Sequence, residues 1–215
     1  MNIIDHWLQG ADAGLTSPNI GGPFADGLPD AIVIHYTAGA SRASSVAHLC
    51  RAETRASAHL VVGRDEMISQ LVPFDTLAWH AGRSDYGGRS GYNRFSIGIE
   101  IDNPGPLSQR GDRYFTGFNR QCPQDEVVTA THRHDNDPTL WHRYTDWQID
   151  RVREICIALM AKYPIREILG HEQIAPARKR DPGPAFPLDI LRQQLLGDDR
   201  SVDGGDGVDE LNGVS

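Results

Sequence analysis

At 215 residues, 39% of them hydrophobic, the chain is long enough to bury one core of ordinary size and too short for two large domains. Its formal charge of -8 sits at the ends: residues 1–30 carry Asp5, Asp12, Asp26 and Asp30 with no Lys or Arg, and the stretch from Gly197 onward carries six acids against Arg200, leaving +1 for residues 31–196. A near-neutral body excludes nucleic acid as the main partner, because phosphate binding needs Lys and Arg clustered on one face. No apolar run approaches the ~18 residues of a membrane span, and three cysteines with no CxxC spacing supply no disulfide framework.

The opening MNIIDHWLQGADAG is broken by Asp5, His6 and Asp12, and the first basic residue is Arg42. No secretory signal is read there, so the expected setting is cytoplasmic, with release or export to the cell wall by another route as the alternative. Residues 1–16 read as an N-terminal extension. SPNIGGPFADGLPD, residues 17–30, is turn chemistry throughout, and AIVIHYT follows as a buried strand ending at His35. SRASSVAHLCRAET has helical spacing at Val46, Leu49 and Cys50. SAHLVVG, MISQLVPF, TLAWHAG and FSIGIEI read as short strands separated by turns.

Residues 102–144 are rich in Pro, Gly, Asn and charge with no sustained period, and read as a long connection, functional or mobile. TDWQIDRVREICIALMAKY is the best helix, with Thr145 as N-cap, apolar residues at 152, 155, 156, 159, 160 and 163, and Pro164 as its stop. IREIL reads as a last strand and PLDILRQQLL as a closing helix. From 197 to 215 there is Gly and Asp and almost nothing to bury, the composition of a disordered tail. The alternation predicts one α/β domain over residues 17–196, a mixed central sheet flanked by helices, with a monomer as the default.

His35 and His171 each end a strand-like run, and Asp181 lies in a proline-bounded loop, GHEQIAPARKRDPGPAFP. Two imidazoles and a carboxylate on restrained backbone are the ligand set of a hydrolytic zinc site; each histidine also has a plain reading as a hydrogen-bonded strand end. Glu100, on the otherwise apolar strand SIGIEI, faces either solvent or a cleft, and in a cleft it suits a general base. Lys179, one of only two lysines, has the charge to stabilise an oxyanion beside a metal.

IVIHYT, SAHLVV, LVPFDTLAWHAG, SIGIEI and GHEQIAPARKRDPGPAFP, in that order, resemble the zinc-dependent N-acetylmuramoyl-L-alanine amidases, a superfamily that includes phage lysozyme-type amidases and peptidoglycan recognition proteins. The similarity runs over about residues 17–192 and is greatest to the bacterial branch acting on anhydro-muropeptides. It implies a mixed sheet with zinc in a groove, held by His35, His171 and Asp181, with Glu100 as acid/base and Lys179 as oxyanion stabiliser. The implied reaction is hydrolysis of the amide between N-acetylmuramic acid, or its anhydro form, and L-alanine, the partner being peptidoglycan or soluble muropeptides. His59, Trp79 and His80 match positions near the groove, as substrate contacts or as support.

Two departures stand out. The segment between His35 and SAHLVV is shorter than in the recycling amidases, and 102–144 is longer. His132, His134, Asp135, Asp137 and His142 in that insertion suggest either a second metal or, without regular ligand spacing, a polar groove-edge loop. The insertion leaves open whether the groove takes small muropeptides or polymeric glycan. A non-catalytic peptidoglycan-binding module and a lytic prophage or effector amidase are the rival readings.

Overall fold

The computed structural model describes residues 1–197, so the tail expected from 198 to 215 lies outside the described residues. The N-terminus forms a small hairpin, β1 (Ile3–Ile4) with β2 (Trp7–Leu8). It is followed by β3 (Ile20–Pro23), β4 (Ala31–Tyr36), α1 (Arg42–Leu49), β5 (Leu60–Val62), β6 (Ile68–Gln70) and β7 (Thr76–Ala78). A hairpin of β8 (Asp85–Tyr86) and β9 (Arg89–Ser90) precedes the long strand β10 (Ser96–Ile101). The insertion contains β11 (Ser108–Arg110), β12 (Arg113–Phe115), β13 (Gln121–Cys122), β14 (Val127–Thr131) and β15 (Pro138–His142). The chain closes with α2 (Asp146–Lys162), β16 (Glu167–Gly170), α3 (His171–Ile174) and α4 (Leu188–Leu196).

The central sheet runs β16-β4-β10-β5-β6, the first four strands parallel and β6 antiparallel. It is the mixed sheet that the alternating elements predict. Because side chains alternate along a strand, the sheet has two different faces. Ile32, Ile34, Ile97, Ile99 and Ile101 pack against Val152, Ile155 and Leu159 of α2 and Leu188 and Leu191 of α4. Each fully buried aliphatic side chain stabilises by about 1.5–3 kcal/mol. The opposite face carries Ala31 and Val33, covered by Ala81, Tyr92 and Ile174, and this parity puts His35 and Glu100 there as well.

The predicted helices form where their caps and spacing put them. Thr145 and Gln148 make a reciprocal capping box at the start of α2, and Pro164 follows its end. Ser41 caps α1, which buries Val46 and Leu49 against Val61, Leu71 and Val72.

Two expectations are corrected. The stretch 17–30 is not turn throughout: β3 pairs antiparallel with β7, away from the main sheet, and its Gly21 lets Leu77 approach so closely that a Cβ would lie 2.9 Å from Leu77 Cβ. Nor is 102–144 a structureless connection. It folds into a three-stranded antiparallel sheet, β11-β12-β13, and the β14–β15 hairpin, registered from Val127 opposite His142 to Thr131 opposite Pro138. These strands are short, β11 is wholly exposed and β14 has no buried residue, so no apolar alternation marks them.

The first residues are part of the same packed body. Leu8 is buried in the main core and its N–H donates to Gln70 Oε1 at 2.6 Å, while Asp12 bridges to Ser69 on the outer strand β6.

Candidate active site

Register alone brings the first three residues together. β4 and β10 pair Glu100 with His35, and β16 pairs Gly170 with Ile34, so one step further His171 falls opposite His35. His171, His35 and Glu100 thus stand in a row across the carboxyl ends of three parallel strands. The loop after α3 returns Asp181 to them, and Glu172 N–H donates to Asp181 O at 2.8 Å to fix that return.

His35 Nδ1, His171 Nδ1 and Asp181 Oδ2 form a triangle with each side 2.9 Å, all three residues buried. The hydrogen bonds behind them assign the tautomers. Ser96 Oγ donates to Tyr92 O at 2.6 Å, so Ser96 O, 3.1 Å from His80 Nε2, must receive the His80 proton. His80 Nδ1 is then an acceptor, and His35 Nε2–H donates to it at 3.0 Å. His171 Nε2–H donates to Ala81 O at 3.1 Å. Both Nδ1 atoms therefore present lone pairs to a carboxylate oxygen, with no proton left between any pair. Three converging acceptors fit a cation, and the N₂O donor set suits zinc.

Protonation states agree. Burial, reinforced by neighbouring His171, lowers His35 to about 4, so its ring is neutral at pH 7. Burial raises the Asp181 carboxyl, but the His171 and His35 rings against it outweigh this and hold the group well below the usual carboxylate range.

Glu100 is half-buried, its Oε2 wholly enclosed without a hydrogen-bond partner. Burial first, then the Asp181 charge, pushes its carboxyl well above the usual range; Lys179 partly offsets this. Its open side borders a cavity of about 320 Å³ between α1 and the turn at Thr37–Gly39, where the buried Ser45 Oγ also lacks a partner. Lys179 is half-buried on the 170s loop, its N–H donating to Ala175 O at 2.9 Å.

The three groove residues expected from the motifs separate. His80 stands behind His35, so tightly over β10 that a Cβ on Gly98 would lie 2.3 Å from His80 Cγ. His59 has no exposed surface: Nδ1 accepts from Gly98 N–H at 3.0 Å and Nε2–H donates to Thr76 O at 2.9 Å. It supports the strands and touches no open groove. Trp79 is 39% exposed, beside the buried His80, with its backbone N–H on Ser57 Oγ.

The insertion's histidines do not gather into a second centre. His132 and His142 are buried, which a polar edge loop does not explain; His132 pairs with Glu172 and His142 with Glu126, while Asp135 pairs with Arg180. Cys122, Glu126 and His142 do approach one another, but Arg64 donates to Glu126 Oε1 and to His142 Nδ1. His142 Nε2 then carries the proton it gives Glu126. Charge and lone pairs are already satisfied there, in contrast to the triangle at His35. Glu172 is a residue that the sequence reading passed over. Nothing in GHEQ distinguishes a buried acid from a solvated one.

An acid with an unsatisfied oxygen, set beside three converging donors at the ends of parallel strands, is an arrangement suited to hydrolysis. Residues 25–184 match the family model described as N-acetylmuramoyl-L-alanine amidase. The chain is 36% identical over 172 residues to the 1,6-anhydro-N-acetylmuramyl-L-alanine amidase AmpD of Citrobacter freundii, covering 77% of this chain and 67% of that one. To the N-acetylmuramoyl-L-alanine amidase AmiD of Escherichia coli it is 34% identical over 175 residues, covering 77% and 53%. Its structure is similar to a crystal structure of a Se-Met AmpD derivative, with a TM-score of 0.60 and 30% identity over 89% of this chain and 98% of that one. It is also similar to E. coli AmiD in complex with anhydro-N-acetylmuramic acid-L-Ala-D-gamma-Glu-L-Lys, with a TM-score of 0.56 and 29% identity over 89% and 61%. The chain belongs to the N-acetylmuramoyl-L-alanine amidase family, and it is an amidase.

Proposed function

We propose that this chain hydrolyses the amide bond between N-acetylmuramic acid, in its anhydro or ordinary form, and the L-alanine of a peptidoglycan stem peptide. The observation that carries the reading is the row of His171, His35 and Glu100, with three unprotonated donors on one side and an unpartnered carboxylate oxygen on the other. His35, His171 and Asp181 would hold one zinc ion. When bound, zinc would supply a Lewis acid that polarises the scissile carbonyl and lowers the pKa of water.

The remaining chemistry belongs to side chains. The Glu100 carboxylate takes the proton of the attacking water and passes it to the departing amine of L-alanine. Its enclosure supports this role, because a raised carboxyl is a better proton acceptor and a competent donor near neutral pH. The Lys179 ammonium stabilises the oxyanion of the tetrahedral intermediate. Trp79 offers an exposed aromatic face to the substrate, while His59 and His80 hold strands and ligands in place. A monomer working on soluble muropeptides in the cytoplasm is part of the same proposal.

The test is mass spectrometry of products after incubating the zinc-loaded protein, and a chelated control, with soluble anhydro-muropeptides and with intact sacculi. Zinc-dependent release of stem peptide from the soluble substrate alone supports a recycling enzyme. Release from sacculi moves the reading to a wall-degrading amidase, and release from neither overturns it.

A further inference from the structure

We infer that the β14–β15 hairpin is a clasp for the metal-ligand segments, with His132 and Glu172 as positioning residues that fix His171 and Asp181. The inference rests on the zinc reading above and extends it to residues that touch neither metal nor substrate.

Glu172 directly follows His171 and is buried. Its Oε2 accepts from His132 Nε2–H at 2.7 Å and from Gly183 N–H at 3.2 Å, and its Oε1 forms an ion pair with Arg133 Nε at 3.0 Å. Its backbone carbonyl accepts from His134 Nε2–H at 3.0 Å, and its own N–H holds Asp181 O. One side chain thus ties both ligand-bearing segments, 171–172 and 181–183, to the turn of the hairpin.

The hairpin end of this contact is equally constrained. His132 Nδ1 accepts from His134 N–H at 3.2 Å, which fixes the proton on Nε2, where it points at Glu172. The ring stacks on Trp141, centroids 5.7 Å apart and planes 16° from parallel. Trp141 in turn packs against Gly183, where a Cβ would be 2.6 Å from the indole. Asp135 pairs with Arg180 on the chain entering Asp181, and Tyr144 O–H donates to Pro182 O at 2.8 Å on the chain leaving it.

Metal affinity depends on how firmly the donors are held, and outer partners of ligand residues commonly contribute about 10–100-fold. His80 and Ala81 orient the two imidazoles from behind. The hairpin supplies the complementary restraint on the backbone that carries His171 and Asp181. The insertion is thereby part of the metal site, built from the strand pair that the sequence leaves unmarked.

The experiment measures zinc affinity by competition with a chromophoric chelator, zinc release rate, and the melting temperature with and without zinc. It uses the wild-type chain, His132→Ala, Glu172→Gln, His132→Gln, which restores a single N–H donor, and Asp135→Asn at the half-exposed rim. His132→Ala and Glu172→Gln are expected to weaken zinc about 10–100-fold, release it faster and shrink the zinc-induced rise in melting temperature. His132→Gln should recover most of the loss, and Asp135→Asn should show a smaller change in the same direction. If the variants melt lower without zinc yet keep wild-type zinc affinity and release, the hairpin is merely structural and the inference is overturned. A wild-type chain that binds no zinc would instead overturn the reading on which it rests.

Discussion

Glu100 carries the sharpest predictions at the scale of single residues. Glu100→Gln should lower kcat by about 10²–10⁴-fold while zinc content, measured by atomic absorption, stays at the wild-type value. The same substitution should raise stability in chelator. In the fold this carboxyl titrates well above its unfolded value, so between the two values the unfolded chain loses its proton first and native stability falls as pH rises. Melting curves of metal-free wild type and Glu100→Gln should therefore coincide near pH 4 and separate toward pH 7, the variant melting higher. Equal melting temperatures at pH 7 would mean the enclosure of Oε2 costs nothing. His35, His171, Asp181, Glu100 and Lys179 were legible as candidates because each stands toward a strand end or in a rigid loop, and the roles proposed for them came with the family resemblance. Glu172 was not: its partner His132 is 40 positions away, and local sequence does not reveal whether an acid is buried.

Among the elements, β10 and the insertion respond differently to the same kind of test. Gly98→Ala puts a methyl group against His80, so it should destabilise by about 1–3 kcal/mol and weaken zinc together, since His80 orients His35. Urea denaturation and zinc titration on one sample check both. Trp141 is almost completely buried within the insertion. Trp141→Ala should cost about 3–5 kcal/mol in urea denaturation, whereas a mobile edge loop would tolerate it. The helices were readable because capping residues and 3.6-residue spacing act within a few positions. β14 has β-branched residues but exposes half of each face, so its pairing is decided by β15 and by Glu172, which sequence reading does not place beside it.

For the molecule as a whole, the mixed sheet followed from the alternation of elements, but the strand order did not, because it depends on which distant segments meet. The N-terminal hairpin illustrates the point: it packs Leu8 into the core and lies beside β6, an edge that would otherwise offer unpaired backbone. Deleting residues 1–13 should lower the urea midpoint by an amount matching about 1.5–3 kcal/mol for Leu8 alone, and light scattering should show more self-association. The inner position of β4 has a further result. Its two neighbours arrive long after it in the chain, and His35 meets its partner 136 positions downstream. On a ribosome, the growing polypeptide owns one donor of the triangle early and has all three only when the segment through Asp181 has emerged. No translation product that stops short of Asp181 therefore carries all three donors.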